Sequence, residues 1–302
     1  MKDLKRQCLY RIIAVLMVFQ PLFLVGCTEE QGFSGQNAYE LAAKQMEFGP
    51  RPPGSEALKQ TGDWIAGELR EQGWDVEEQT FLYKDVQLRN VIGIWEPEHL
   101  ASYDRLNPII LGAHYDTRPH ADLDPVDPLA PVPGANDGAS GVAVLLEMAR
   151  VISDRGYNGF VLLVFFDGED SGRIDGWDWI VGSSYYAERL AIEPQAVVIV
   201  DMVGDRDLNL YYEHNSDAGL SAEIWEIADE LGYDEFVPEK RYSILDDHIP
   251  FLERGWRAVD IIDFDYPAWH TQGDTLDKIS VQSLEAVGVT LEHWLWARAA
   301  GD

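Results

Sequence analysis

Strand-like and helix-like segments alternate along most of this 302-residue chain, and this alternation restricts the possible folds more than any other feature. The segments with strand character are short, at 75–82, 91–95, 109–113, 160–166, 197–202, 208–212 and 258–263. The segments with helical spacing lie at 57–72, 140–152, 218–231, 248–254 and 281–298. Such alternation is typical of an α/β layer fold, so we predict a single α/β domain.

Acidic residues and histidines follow directly after several of the predicted strands. His114 and Asp116 follow one strand, residues 167–170 follow the next, and Asp201 and residues 263–265 end two more. In open α/β sheets, ligands bind beyond the carboxyl ends of the strands. We therefore expect these residues, although remote in sequence, to surround one site.

Three short motifs contain the residue types that a catalytic zinc ion prefers: GAND, FFDGED and WHT, at 134–137, 165–170 and 269–271. Zinc in enzymes is bound by carboxylate oxygens and imidazole nitrogens, and it keeps one position open for water or substrate. Asp137, Asp170 and His270 would supply three such ligands. Glu169 directly precedes one of them and is placed to act as a general acid or base that does not bind the metal.

The charge of the chain excludes one class of partner. There are 53 Asp and Glu residues against 23 Lys and Arg, which gives a formal net charge of −30. A chain this acidic lacks the basic surface that nucleic acid binding requires, so no nucleic acid partner is expected.

Residues 1–26 have the organisation of a bacterial lipoprotein signal peptide. Basic residues precede an apolar run at 12–25 that is too short for a comfortable membrane span. The run ends at Gly26 and Cys27, which resembles a lipobox, whose cysteine becomes the lipidated first residue. We expect Cys27 to anchor the protein to the cell envelope, facing the periplasm or the exterior, with residues 27–36 as a tether and 37–302 as the folded domain. An uncleaved anchor is the alternative.

Longer motifs carry a family resemblance: GAHYDT, GANDGASG, FFDGED, VDMVGD, DDHIPFLERG and YPAWHTQGDT, at 112–117, 134–141, 165–170, 200–205, 246–255 and 266–275. Together they resemble the M28-type zinc aminopeptidase family, which also contains the glutaminyl-peptide cyclotransferases. The resemblance runs from about residue 39 to the C-terminus. It implies a zinc-dependent catalytic domain of three layers, α/β/α, around a central mixed, mostly parallel, twisted sheet.

The resemblance alone leaves two activities open. In the aminopeptidases two zinc ions are bridged by one Asp, and the matching positions here are His114, Asp137, Asp170, Asp201 and His270. All of these ligands are present, with His114 and Asp201 as the candidates for a second metal. A two-zinc aminopeptidase that removes N-terminal residues from peptides is therefore the alternative function.

The DDHIPFL stretch favours the cyclotransferase branch. In that branch a single zinc is bound, and the residues matching Asp201 and Asp246 form a carboxylate cluster around the catalytic glutamate, here Glu169. Trp269 matches an aromatic wall beside the ligand histidine. Trp177, or its neighbour Trp179, is expected to complete the substrate pocket.

The function that the resemblance implies is cyclisation of N-terminal glutamine to pyroglutamate with release of ammonia. The γ-carbonyl would be polarised by zinc, and Glu169 would move a proton from the α-amine to the departing ammonia. The substrates would be peptide or protein N-termini, and the enzyme would be a monomer. A binding protein without activity on the same scaffold is a third reading, which the complete set of ligands disfavours.

Overall fold

The computed structural model describes residues 32–97 and 107–300. The predicted signal peptide and Cys27 lie outside the described residues. The helices are α1 Gly35–Met46, α2 Glu56–Glu71, α3 Ala139–Asp154, α4 Val181–Arg189, α5 Ala218–Leu231, α6 Ile249–Glu253 and α7 Val281–Ala300. The strands are β1 Asp75–Tyr83, β2 Val86–Trp95, β3 Ile109–His114, β4 Val161–Phe166, β5 Ala196–Asp201, β6 Leu210–Glu213, β7 Phe236–Tyr242 and β8 Ala258–Ile262.

A six-stranded sheet in the order β1-β2-β4-β3-β5-β8 forms the centre of the domain. Strands β4, β3, β5 and β8 are parallel, whereas β1 and β2 are added as an antiparallel hairpin at one edge. Strands β6 and β7 pair in a small separate sheet. The prediction of a mixed, mostly parallel sheet in a single α/β domain is confirmed.

Helices cover both faces of the sheet because its strands are apolar on both sides. In β4, Leu163 and Phe165 pack in the larger core, together with side chains of α1, α2, α3, α5 and α7. Leu162, Val164 and Phe166 point the other way and pack against residues of α4 and α6. Continuous apolar strands of this kind are typical of sheets buried on both faces.

The parallel strands bring the predicted site residues to one edge of the sheet. Strand β3 ends at His114, β5 ends at Asp201, and the loop after β4 begins at Asp167. The loop after β8 carries His270. The carboxyl ends of parallel strands lie together, so four segments that are distant in sequence converge there.

Helix α1 was not predicted, and it corrects the predicted tether. Ser34 caps the helix by accepting a hydrogen bond from the backbone N–H of Asn37, and Ala38 and Ala42 are buried on one helical face. Phe33 is only 8% exposed, and its backbone N–H donates to Glu292 of α7. The last residues of the segment 27–36 are therefore part of the folded domain.

Two other elements were also missed. Strand β7 is mostly exposed and contains Pro238, so it lacks the alternation that predicts a strand. Helix α4 is short and starts after Ile180, whose φ is +54°. Within the described part of the chain, no helix is both long enough and apolar enough to cross a bilayer.

Candidate metal centre and active site

Asp137, Asp170 and His270 converge as the zinc prediction requires. One potential ligand atom from each lies within 4.8 Å of the others. His270 Nε2 is 3.0 Å from Asp170 Oδ1 and 3.9 Å from Asp137 Oδ2. Asp137 Oδ2 and Asp170 Oδ2 are buried, and neither has a hydrogen-bond partner among the described residues. Two buried carboxylates with free lone pairs beside an imidazole are a donor set that fits zinc.

A second group shares Asp137 with the first. One ligand atom each from His114, Asp137 and Asp201 lies within 4.8 Å of the others. His114 Nε2 is 3.1 Å from Asp201 Oδ1 and 3.2 Å from Asp137 Oδ1. The geometry thus places the candidate second-metal residues beside the first group, with Asp137 between the two.

Glu169 lies in the loop between β4 and α4 and is 7% exposed. Its backbone N–H donates to Asp116 Oδ1 at 3.0 Å, and the N–H of Asp170 donates to Asp116 Oδ2 at 3.2 Å. Both oxygens of one buried carboxylate therefore hold this loop. Asp116 also lies 3.6 Å from His114 Nδ1, so it supports the site without being one of the converging ligands.

Buried carboxylates next to each other retain protons to unusually high pH. Burial raises the pKa of Glu169 well above its usual range; the nearby His114 opposes this shift, and the charges of Asp170 and Asp246 add to it. Burial, followed by the charge of Asp201, raises the pKa of Asp246 to about 7. A carboxyl group tuned in this way suits proton transfer near neutral pH.

These residues face a cavity of about 240 Å³ with mixed walls. Its polar side is formed by the carboxylates together with His270, Arg173 and Ser243. Its apolar side consists of Trp179, Met202, Ile244, Leu245, Ile262, Phe264 and Trp269. The centroid of the Trp269 ring is 3.9 Å from the centroid of the His270 ring. The Trp179 ring is nearly parallel to the His270 ring, with 6.0 Å between the centroids and an interplanar angle of 11°. The imidazole therefore lies beside two indole rings.

Trp177 does not line this cavity, which corrects the predicted pocket. Its ring packs edge-on against Tyr83 at 5.1 Å, beside an apolar cluster of Phe81, Leu88 and Val181. Trp177 thus attaches the loop to the β1–β2 hairpin, and Trp179 forms the pocket wall. The two tryptophans share the same local sequence, so only the tertiary contacts distinguish them.

Two other acidic positions at the end of β8 also lie outside the cavity. Asp263 accepts from the backbone N–H groups of Asn209 and Asp265, and it organises the adjoining loop. Asp265 pairs with Arg241 at 2.7 Å near the surface. Strand-end position alone therefore overestimated the set of site residues.

Asp274 is a supporting residue that the sequence reading missed. It is fully buried and accepts from the backbone N–H groups of Asn136 at 2.8 Å and Asp137 at 3.2 Å, and from the Tyr266 hydroxyl at 2.7 Å. It thereby holds the candidate ligand Asp137 against the loop of His270. Its position in the QGDT motif, four residues after His270, was the available signal.

Arg51 holds the loop that precedes Asp137, and this role was not predicted from the sequence. Its guanidinium is fully buried and donates to the carbonyl oxygens of Gly49, Tyr115, Pro133 and Gly134. Burial lowers its pKa to about 10, so the group is still charged at neutral pH.

We expect Arg51→Met to lower the free energy of unfolding by about 3 kcal/mol or more, because several buried carbonyls lose their donor. Arg70→Met is the matched control, since Arg70 forms an exposed ion pair with Glu78 and its loss is expected to cost under about 1 kcal/mol. Urea unfolding measures both values. Equal losses for the two variants would contradict the role given to Arg51.

Comparison with known proteins places these features in a family. The model of peptidase family M28 matches residues 90–295. Aminopeptidase YwaD of Bacillus subtilis (strain 168) is 30% identical over 217 residues, which cover 66% of this chain but only 42% of that relative.

Two solved structures match over nearly their whole length. Porphyromonas gingivalis glutaminyl cyclase has a TM-score of 0.82 at 33% identity, with coverage of 88% of this chain and 99% of that one. A Zn-dependent exopeptidase from Parabacteroides distasonis has a TM-score of 0.81 at 31% identity, with the same coverage of 88% and 99%. On its sequence, its fold and its converging acidic and histidine residues, this chain belongs to peptidase family M28.

Proposed function

We propose that this protein is a glutaminyl-peptide cyclotransferase that converts N-terminal glutamine of peptides and proteins to pyroglutamate and releases ammonia. The observation that carries the proposal is the buried carboxylate set of Glu169, Asp201 and Asp246, which faces a small cavity walled by tryptophans. The similarity to a bacterial glutaminyl cyclase over nearly all of that chain supports it.

The reaction transfers an acyl group within one residue. The α-amine nitrogen forms a bond to the γ-carbonyl carbon, the bond from that carbon to the amide nitrogen breaks, and ammonia leaves. No water is consumed. One proton must leave the attacking amine, and one must reach the departing nitrogen.

Glu169 is placed to move that proton. Its carboxylate takes the proton from the amine and gives it to the leaving amide nitrogen, so the same group acts first as a base and then as an acid. The elevated pKa allows Glu169 to hold the proton between the two steps. The charge of Asp246 helps to maintain this property because it raises the pKa of Glu169, and the charge of Asp201 acts in turn on Asp246.

Asp137, Asp170 and His270 would hold zinc, which when bound acts as a Lewis acid towards a carbonyl oxygen. We propose one zinc per chain. In this reading Asp201 belongs to the carboxylate cluster, and His114 bridges Asp201 and Asp137 through its Nε2.

The apolar walls explain why cyclisation would be favoured over hydrolysis. Trp179, Trp269, Ile244 and Phe264 line the cavity, and an apolar wall offers few hydrogen bonds to an attacking water molecule. A glutamine side chain folded back on its own amine brings the reacting atoms together, and such proximity contributes strongly to intramolecular reactions.

The aminopeptidase alternative has an observation of its own. The group formed by His114, Asp137 and Asp201 is compact enough for a second metal ion. These residues would hold the second ion, and a pair of metal ions would supply the activation of water that hydrolysis of an N-terminal peptide bond requires.

Parallel assays separate the two functions. The purified protein with added zinc is incubated with a glutamine-initiated peptide and, separately, with leucine p-nitroanilide. We expect ammonia from the peptide, no p-nitroaniline, and about one zinc per chain by metal analysis. The same peptide with an acetylated N-terminus is the control and should release no ammonia, because its amine is blocked. Release of p-nitroaniline with two zinc ions per chain would favour the aminopeptidase.

We also propose that Cys27 is lipidated and anchors the enzyme to the cell envelope. The support is the sequence pattern at residues 1–27. Expressed in a bacterial host, the full chain should fractionate with membranes, and Cys27→Ser should release it into the soluble fraction. Membrane association that persists in Cys27→Ser would favour an uncleaved anchor.

A further inference from the structure

We propose that Arg118 and Asp122 are positioning residues, which together fix the zinc ligands Asp170 and His270 and the pocket wall Trp179. The inference rests on the zinc site of the proposed function, but it holds for either activity of that site. Both residues lie in the loop that follows β3, outside the motifs that carry the zinc ligands.

The pair itself has a well-defined geometry. The side chain of Arg118 is 3% exposed, and its Nε and Nη2 donate to Oδ1 and Oδ2 of Asp122, both at 2.7 Å. Two parallel charge-assisted hydrogen bonds fix the plane of a guanidinium group, whereas a single hydrogen bond leaves the group free to rotate. Asp122 is partly exposed, so solvent reaches the outer side of the pair.

The remaining guanidinium nitrogen reaches the loop that carries Asp170. Nη1 donates to the backbone carbonyl of Asp170 at 3.1 Å and lies 3.5 Å from Oδ1 of the same residue. It also donates to the carbonyl of Gly172 at 3.4 Å. Arg118 therefore holds both the backbone and the side chain of this zinc ligand.

The guanidinium also contacts the pocket wall. Its central carbon is 4.8 Å from the centroid of the Trp179 ring. The same indole ring stacks on His270. Loss of Arg118 would allow Trp179 to move. The His270 imidazole would then lose the support of this indole ring.

Asp122 acts on His270 directly. Its Oδ1 lies 3.5 Å from His270 Nδ1, on the side of the ring opposite to Nε2, which faces Asp170 and Asp137. A carboxylate on the Nδ1 side favours a proton on that nitrogen and leaves the Nε2 lone pair for a metal.

The backbone of His270 requires such support. Its φ is +56°, a conformation that non-glycine residues adopt at a cost and keep only when their surroundings hold them. The neighbouring loop contributes here too, because the N–H of Leu123 donates to the carbonyl of His270 at 3.2 Å. The segment from Arg118 to Leu123 thus braces the ligand through both its side chain and its backbone.

Zinc affinity provides a test that does not depend on catalysis. A chromophoric chelator competes for zinc with the parent protein and with the variants Asp122→Asn and Arg118→Lys. Arg118→Lys keeps the positive charge but loses the two parallel N–H donors of the guanidinium. We expect the zinc dissociation constant to rise about 10- to 100-fold in both variants. Asp127→Asn is the control, since it removes the same charge from an exposed position of the same loop and should leave zinc affinity unchanged.

The double variant tests whether the two residues act together. Arg118→Lys with Asp122→Asn should weaken zinc binding by less than the product of the single effects, because the pair acts as one unit. Zinc affinity within twofold of the parent in both single variants would overturn the inference. If the parent protein and all variants lacked cyclase activity but the single variants bound zinc more weakly as expected, the proposed function would be wrong. This inference would still hold.

Discussion

Replacement of Glu169 by glutamine is expected to lower kcat/KM for a glutamine-initiated peptide by about 10²- to 10⁴-fold. The amide has nearly the same size as the carboxylate, but it cannot accept the proton of the attacking amine. The loss should lie in kcat, because Glu169 is not one of the zinc ligands and the cavity keeps its shape. Steady-state kinetics with an ammonia assay measures the effect.

Zinc content and thermal unfolding serve as the controls for this variant. Both should match the parent protein, which shows that the lost activity reflects proton transfer and not loss of metal or fold. Glu188→Gln removes the same charge from an exposed position of α4 and should retain full activity. If Glu169→Gln kept more than half of the parent activity, another group would have to transfer the proton.

Removal of zinc is the second large effect that we expect. Dialysis against a chelator should reduce the activity by about 10³-fold or more, because Lewis-acid assistance contributes several kcal/mol to such reactions. Added zinc should restore the activity. The same zinc concentration should not restore the activity of His270→Ala, because one ligand of the site is missing.

The melting temperature gives an independent measure of the same event. Asp137 and Asp170 are buried next to each other, and burial together with the charge of Asp137 raises the pKa of Asp170 to about 6. A bound cation relieves this repulsion, and any ligand that binds only the folded state stabilises it. Zinc should therefore raise the melting temperature of the parent protein and have little effect on His270→Ala. Full activity in metal-free protein would contradict the account.

The sequence predicted those parts of the fold that depend on local pattern. Helix α5 has the bounds that its spacing indicated, and the buried strands β3, β4, β5 and β8 lie within one or two residues of the apolar runs. The convergence of His114, Asp170 and Asp201 followed from parallel strand ends, because such a sheet directs all its carboxyl ends to one edge. Asp137 and His270 were predicted from their motifs and from the ligands that zinc prefers.

Features that depend on tertiary contact could not be read in the same way. Trp177 and Trp179 have similar neighbours in sequence, and only the packing of Trp177 on Tyr83 decides which of them lines the cavity. The predicted tether contains Phe33, whose burial depends on α7, more than two hundred residues away in sequence. The role of Arg51 could not be predicted because its partners are backbone carbonyls, which carry no sequence pattern.

Asp201 is the residue at which the two candidate activities diverge. It belongs to the compact group with His114 and Asp137 and also to the carboxylate cluster with Asp246. The same buried position can serve a second metal ion or a proton-transfer cluster. The identity of the reaction product is therefore more informative about function than further detail of the site.

Mass spectrometry of a glutamine-initiated peptide after incubation with the zinc-loaded enzyme distinguishes cyclisation from hydrolysis. We expect a product that has lost one molecule of ammonia and keeps every residue, with a cyclic N-terminus that no longer reacts with amine reagents. A product shortened by its first residue, together with free glutamine, would contradict this expectation.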